Sequence, residues 1–206
     1  MVDPNQHDRF VLRQRIKLTI NQYEFSVPPD EGEEGDGAAF CFVEQKRFKF
    51  KEDIRFFADE SKTSELLRLK ARQRFDPRAR YEITSPDGAK VGEIQKVFGK
   101  SLLRSTYTLF DTTGNELCVV REKSMAKAIF RRVVGFVPYI GGFADWLPIA
   151  YDFDFIHGED VIGTHSRRRW KLRDIYTMDF TADAERRVDR RLVLATAVGL
   201  DALQAR

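Results

Sequence analysis

The chain has 206 residues, 42% of them hydrophobic and 33% charged, which excludes a disordered tail, a collagen-like fibre and a polytopic membrane protein. Its 35 Lys and Arg against 32 Asp and Glu leave a net charge of +3, too little by itself to imply nucleic-acid binding. Cys41 and Cys118 each lie inside an apolar run. Free buried thiols in a reducing cytoplasm are therefore expected in place of a disulfide scaffold.

Residues 1–8 read as a flexible polar tail, with no basic stretch leading into an apolar one, so no secretory signal is expected. One domain is expected over 9–206. From Phe10 the pattern alternates: Phe10, Leu12, Ile16, Leu18 and Ile20 share one parity, and Arg13, Arg15, Lys17 and Thr19 the other. Period 2 puts the first set on a buried sheet face and the second in water. Tyr23 to Val27 continues as a short strand. Residues 26–37 then bring prolines, glycines and five carboxylates, Asp30, Glu31, Glu33, Glu34 and Asp36, which predicts a mobile acidic surface loop.

Phe40 to Val43, Arg47 to Phe50, Ile54 to Ala58 and Leu66 to Ala71 follow as short aromatic and aliphatic runs between charged turns. Such spacing predicts an antiparallel β sandwich or barrel and not βαβ units. A weak repeat supports this. Tyr81, Tyr107 and Tyr151 are each followed, seven residues on, by a glycine: Gly88, Gly114 and Gly158. An apolar residue comes three later, at Val91, Leu117 and Val161. Glycine supplies the positive φ that tight hairpins need, so three similar hairpins are expected.

The end of the chain changes character. Thr181 and Asp183 are candidate caps for a helix over 183–203. From Leu192 to Leu203 apolar residues run all the way round, with no polar stripe, and Asp201 interrupts them. At 1.5 Å per residue the apolar part is roughly 18 Å, against about 30 Å of bilayer hydrocarbon, so no transmembrane span is expected. Such a helix needs protein on every side. A closed barrel threaded by the helix meets that need and removes exposed strand edges.

Several segments carry a family likeness: Arg80-Tyr81-Glu82-Ile83 with Asp87-Gly88 and Gly92, Ser101 to Tyr107, Arg173-Asp174-Ile175-Tyr176, Asp189 to Ala195, and Leu200 to Leu203. In this order they resemble the LURP-one-related family, over roughly Arg9 to Leu203. That family shares its architecture with the tubby C-terminal domain and the phospholipid scramblases. The resemblance implies a mainly β fold, a closed antiparallel barrel of about twelve strands around a central C-terminal hydrophobic helix. It also implies a binding module: the corresponding activity of tubby domains is phosphoinositide binding.

Val133 to Tyr151 is unusually apolar, but Pro138, Gly141-Gly142, Asp145 and Pro148 argue against a lipid-exposed helix. Two readings stay open. The segment is a barrel cover packing Phe136, Phe143 and Trp146, or a loop meeting a membrane interface or protein partner through Phe136, Tyr139, Phe143 and Trp146. Beside it Arg121, Lys123, Lys127, Arg131 and Arg132 are interrupted by one carboxylate, Glu122. A second run holds Arg167, Arg168, Arg169, Lys171 and Arg173. On a strand Arg167, Arg169, Lys171 and Arg173 share a face that suits phosphate. Both runs also fit solvated faces balanced by Asp152, Asp154 and Asp160.

Lys46 to Lys51 interleaves basic and aromatic residues, yet it equally fits an alternating strand, and no nucleic-acid partner is expected. Ser124-x-x-Lys127 lacks its companion motifs. There is no Gly-x-Ser-x-Gly, Walker loop, Gly-x-Gly-x-x-Gly or Cys-x-x-Cys. Asp152, Asp154, His157, Asp160 and His165 form the one His/Asp cluster, and no cofactor or metal is expected. The sequence therefore predicts a non-catalytic cytoplasmic module, peripheral at a membrane surface, that binds an anionic phospholipid headgroup or a protein partner. The alternatives are a scramblase-like lipid mover and an enzyme using the Asp152–His165 cluster.

Overall fold

A computed structural model describes residues 2–16, 20–29, 37–46, 53–71, 80–97, 105–123, 152–168 and 174–204. Twelve antiparallel strands follow one another around a ring. They are β1 (Arg9–Ile16), β2 (Ile20–Ser26), β3 (Ala39–Lys46), β4 (Asp53–Phe57), β5 (Glu65–Ala71) and β6 (Arg80–Thr84). The second half is β7 (Lys90–Lys96), β8 (Thr106–Phe110), β9 (Glu116–Glu122), β10 (Phe153–His157), β11 (Asp160–Arg167) and β12 (Asp174–Asp179). Pairing of β1 with β12, Leu12 opposite Tyr176, closes the barrel. Helix α1 (Arg190–Gln204) follows the last strand and runs inside the ring.

Period 2 explains the wall. Phe10 and Leu12, Tyr23 and Phe25, Ile54 and Phe56, Leu67 and Leu69, and Phe153 and Phe155 all join the buried core. The alternation from Phe10 onward is split between β1 and β2, with residues 17–19 outside the described residues. Arg47 to Phe50, the acidic residues 30–36 and Tyr151 also fall outside them. Both cysteines are free and buried, and burial pushes the Cys118 thiol up to about 12.

The repeated glycines are the turns. Gly88, Gly114 and Gly158 have φ of 86°, 93° and 61°, all in the left-handed region. Tyr81 and Tyr107 point inward and are buried. The first two hairpins close alike, Ser85 N donating to Ala89 O and Asp111 N to Asn115 O, each at 2.9 Å. The third is tighter: His157 pairs directly with Asp160 across Gly158-Glu159.

Every residue from Leu192 to Leu200 is buried, so the helix is dry on all faces. Its one hydroxyl in that stretch, Thr196, is satisfied locally by donating to Leu192 O at 2.7 Å. The wall meets the helix closely at Gly92, where a β-carbon would fall 2.9 Å from Leu192 Cδ2. Gly163 lets the Phe180 ring lie against β11, since a β-carbon there would sit 2.3 Å from that ring.

Two boundaries differ from expectation. The helix starts at Arg190, not at 183, because Arg186 takes a left-handed φ of 51° that breaks any earlier turn. Asp183 also has other partners, accepting from Arg187 N at 3.0 Å and Val188 N at 3.2 Å. Asp189 is the cap, accepting from Arg191 N at 2.8 Å. The N-terminal residues expected as a flexible tail are tied to the helix start: Pro4–Gln6 form a 3-10 turn, and Asn5 Oδ1 accepts from Arg190 N at 2.9 Å.

Candidate functional site

Antiparallel order gives the barrel two unlike ends. The hairpin turns at 85–89, 111–115 and 158–159, the N-terminal residues and the start of α1 share one end, the floor. At the other end, the mouth, β1, β3, β5, β7, β9 and β11 finish, and α1 runs toward it. The longest connection in the chain leaves the mouth at Lys123 and returns at Asp152. Another leaves at Arg168 and returns at Asp174. Both basic segments therefore depart at one end, from β9 and β11 on either side of β10.

Asp152 joins the two departure points. Its backbone oxygen accepts from Lys123 N at 2.8 Å, and its carboxylate accepts from Arg167 N at 3.0 Å. Around it the rim carries Arg121, Lys123, Arg167 and Arg168. Arg121 projects from the outer face of β9 next to Asp154, is exposed, and makes no ion pair among the described residues. Lys123 Nζ lies 3.1 Å from Asp154 Oδ1, so this cation is partly neutralised. Arg168 Nε donates to Thr177 Oγ1 at 3.0 Å.

Strand parity separates the predicted anion ligands. Buried His165 faces inward, so Arg167 shares the inner-side parity, and Arg168 shares the outer face with Arg121 and Lys123. Arg167 and Arg168 of the second basic run therefore point to opposite sides of the wall. A β-bulge at Ile162 shifts the phase of β11, and burial of His165 fixes it beyond the bulge. Lys127, Arg131, Arg132, Arg169, Lys171, Phe136, Tyr139, Phe143 and Trp146 lie outside the described residues.

The His/Asp cluster does not assemble. Asp154 faces out toward Lys123, while Asp152 holds the Arg167 backbone. His157 Nδ1 sits 2.6 Å from Leu117 O at the floor, and Asp160 is exposed there. His165 is buried in the wall, stacked on Tyr176 with ring centroids 4.9 Å apart. Among the described residues no group of three His, Cys, Asp or Glu is placed to hold a metal ion.

Burial pushes His165 down from 6.5 to about 4, although Asp152 opposes the shift. An unfolded chain takes up that proton near its ordinary value, so the stability from a neutral His165 is complete at neutral pH. It is lost as pH falls from about 6.5 through 4. The expected loss, about 3 kcal/mol at 1.36 kcal/mol per unit, should be read in urea titrations from pH 7 to 4. A His165→Phe variant should lose less over that interval. Equal acid sensitivity in the two proteins would refute a buried neutral imidazole.

A closed twelve-strand antiparallel barrel around one enclosed helix is the architecture of a tubby-like barrel. The chain belongs to the LURP-one-related family, whose model matches residues 40–201. No curated protein and no solved structure matches it. Among the described residues no helix is long and apolar enough to cross a membrane.

Proposed function

We propose that this protein is a non-catalytic binding module whose ligand surface is the rim of the barrel mouth at β9–β12. The ligand is an anionic phospholipid headgroup at a membrane surface. One observation carries the reading: Lys123 and Arg167, where the two basic segments leave the barrel, are both bonded to Asp152. Cations on Arg121 and Arg168 flank that junction on the outer face. Phosphate oxygens accept charge-assisted hydrogen bonds from such guanidinium groups. The family's kinship with tubby domains points to the same ligand class and makes a phosphoinositide the first headgroup to try. A scramblase role fits less well, since Leu192 to Leu200 are enclosed by the wall and do not face lipid.

Flotation with neutral and acidic vesicles tests this. Binding should be confined to the acidic vesicles and weaken with added salt. Each charge near an acidic surface contributes about 1 kcal/mol, so Arg121→Glu should weaken binding roughly 30-fold. Equal, salt-insensitive partitioning to both vesicle types would remove the electrostatic reading.

A further inference from the structure

The inner wall of the barrel has two zones. Toward the floor it is apolar, built from Phe10, Phe25, Phe155, Met178 and Phe180. Toward the mouth the same inward positions turn polar over five adjacent strands: His165 on β11, Tyr176 on β12, Gln14 on β1, Asn21 and Tyr23 on β2, and Gln45 on β3. This arc is continuous. His165 stacks on Tyr176, Gln14 pairs with Tyr23, and the Tyr23 hydroxyl donates to Gln45 Oε1 at 3.1 Å.

Four polar atoms in the arc are buried and have no hydrogen-bond partner: Asn21 Oδ1, Gln45 Nε2 and both ring nitrogens of His165. Gln45 is 4% exposed and His165 likewise 4%. Native interiors pair nearly all such groups with protein or with ordered water, because leaving them bare forfeits hydration without return. The helix does not supply the partners, and it packs chiefly against β5 and β7, away from the arc.

We infer that the polar arc inside the mouth holds an uncharged hydrogen-bonding guest. The unmet atoms specify its chemistry. Gln45 Nε2 needs an acceptor, Asn21 Oδ1 needs a donor, and a neutral imidazole needs one of each. All four unmet atoms belong to uncharged groups, so the guest needs no charge of its own. Water clusters and small hydroxyl- or amide-bearing molecules share this chemistry. The inference concerns the interior and stands apart from lipid binding at the rim.

Two measurements on the full chain distinguish the sources. Magnetic relaxation dispersion counts long-lived internal waters, and native mass spectrometry detects a retained organic molecule. Long-lived waters with no excess mass identify water as the guest. Excess mass released on unfolding identifies an organic guest. Under either result, His165→Phe or Gln45→Met should lower the signal, and Asn21→Ala serves as the gentler change should those fail to fold. Neither signal in the unmodified protein overturns the inference. So does a signal that none of the folded variants alters.

Discussion

Replacing Arg190 with Met is expected to lower stability by about 3–5 kcal/mol, the usual result of removing one partner from a buried ion pair. The guanidinium is fully buried at the floor, where α1 begins. Its Nη1 lies 2.7 Å from Asp183 Oδ2, itself buried, and Nη2 lies 2.8 Å from Asp8 Oδ1. Nη1 also donates to Val188 O at 2.9 Å, and the group sits 5.1 Å from the Phe180 ring centroid. A cation in the first helical turn opposes the positive end of the helix dipole. The surrounding carboxylates offset that, and the arginine in turn fixes both the N-terminal segment and the 180–189 turn. Met keeps the bulk but leaves Asp183 buried and unpaired.

Urea unfolding should show a lowered midpoint for Arg190→Met. Arg191→Met is the control: its 2.6 Å pair with Asp189 is partly solvated, 37% and 27% exposed, and should contribute no more than about 1 kcal/mol. Equal shifts for the two variants would sink the anchor. Burial raises the Asp183 carboxyl, but bonds from Arg190 and the backbone of Arg187 and Val188 outweigh it and hold it below its ordinary range. Its contribution is therefore present at neutral pH and lost only as acid titrates that lowered value. The unmodified protein should lose this share of stability in strong acid, and Arg190→Met should have little of it left to lose.

What was legible in the sequence is what periodicity reports. Alternation marked the inward faces around Phe10, Leu12 and Tyr23, and glycine spacing marked the three floor turns. The unbroken apolar surface of Leu192 to Leu200 required a complete wall. Less legible were features made by contacts distant in sequence. Arg190 looked like one more basic residue before a helix, because Asp8 is its partner from the far end of the chain. The polar arc was equally hidden: Gln14 lies on the inward parity of Phe10 and Leu12, but only the strand order brings it beside Tyr23, Gln45 and His165. The run Arg167, Arg168 and Arg169 was undecided for a related reason: it holds both parities, and composition cannot choose between them.

Val198→Asp is expected to cost more than any surface change and to leave little folded protein at neutral pH. Val198 is 0% exposed in the central turns of α1, beside Gly199, whose Cβ position is 3.5 Å from Leu69 Cδ1 and 3.6 Å from Ile94 Cδ1. A carboxylate there would sit in the enclosed core, where the one buried cation among the described residues is Arg190, two turns back, and this costs several kcal/mol. Val198→Thr has nearly the same shape and carries a hydroxyl that can donate to the carbonyl four residues back, as Thr196 already does. It should cost about 1–2 kcal/mol. Acid sharpens the contrast, because burial raises the pKa of an introduced carboxyl and the protonated form is tolerated better. The gap between Val198→Asp and the unmodified protein should therefore narrow as pH falls. A helix wetted along one side would treat Asp and Thr alike at every pH, and thermal melts of the two variants at pH 7 and pH 5 separate the cases.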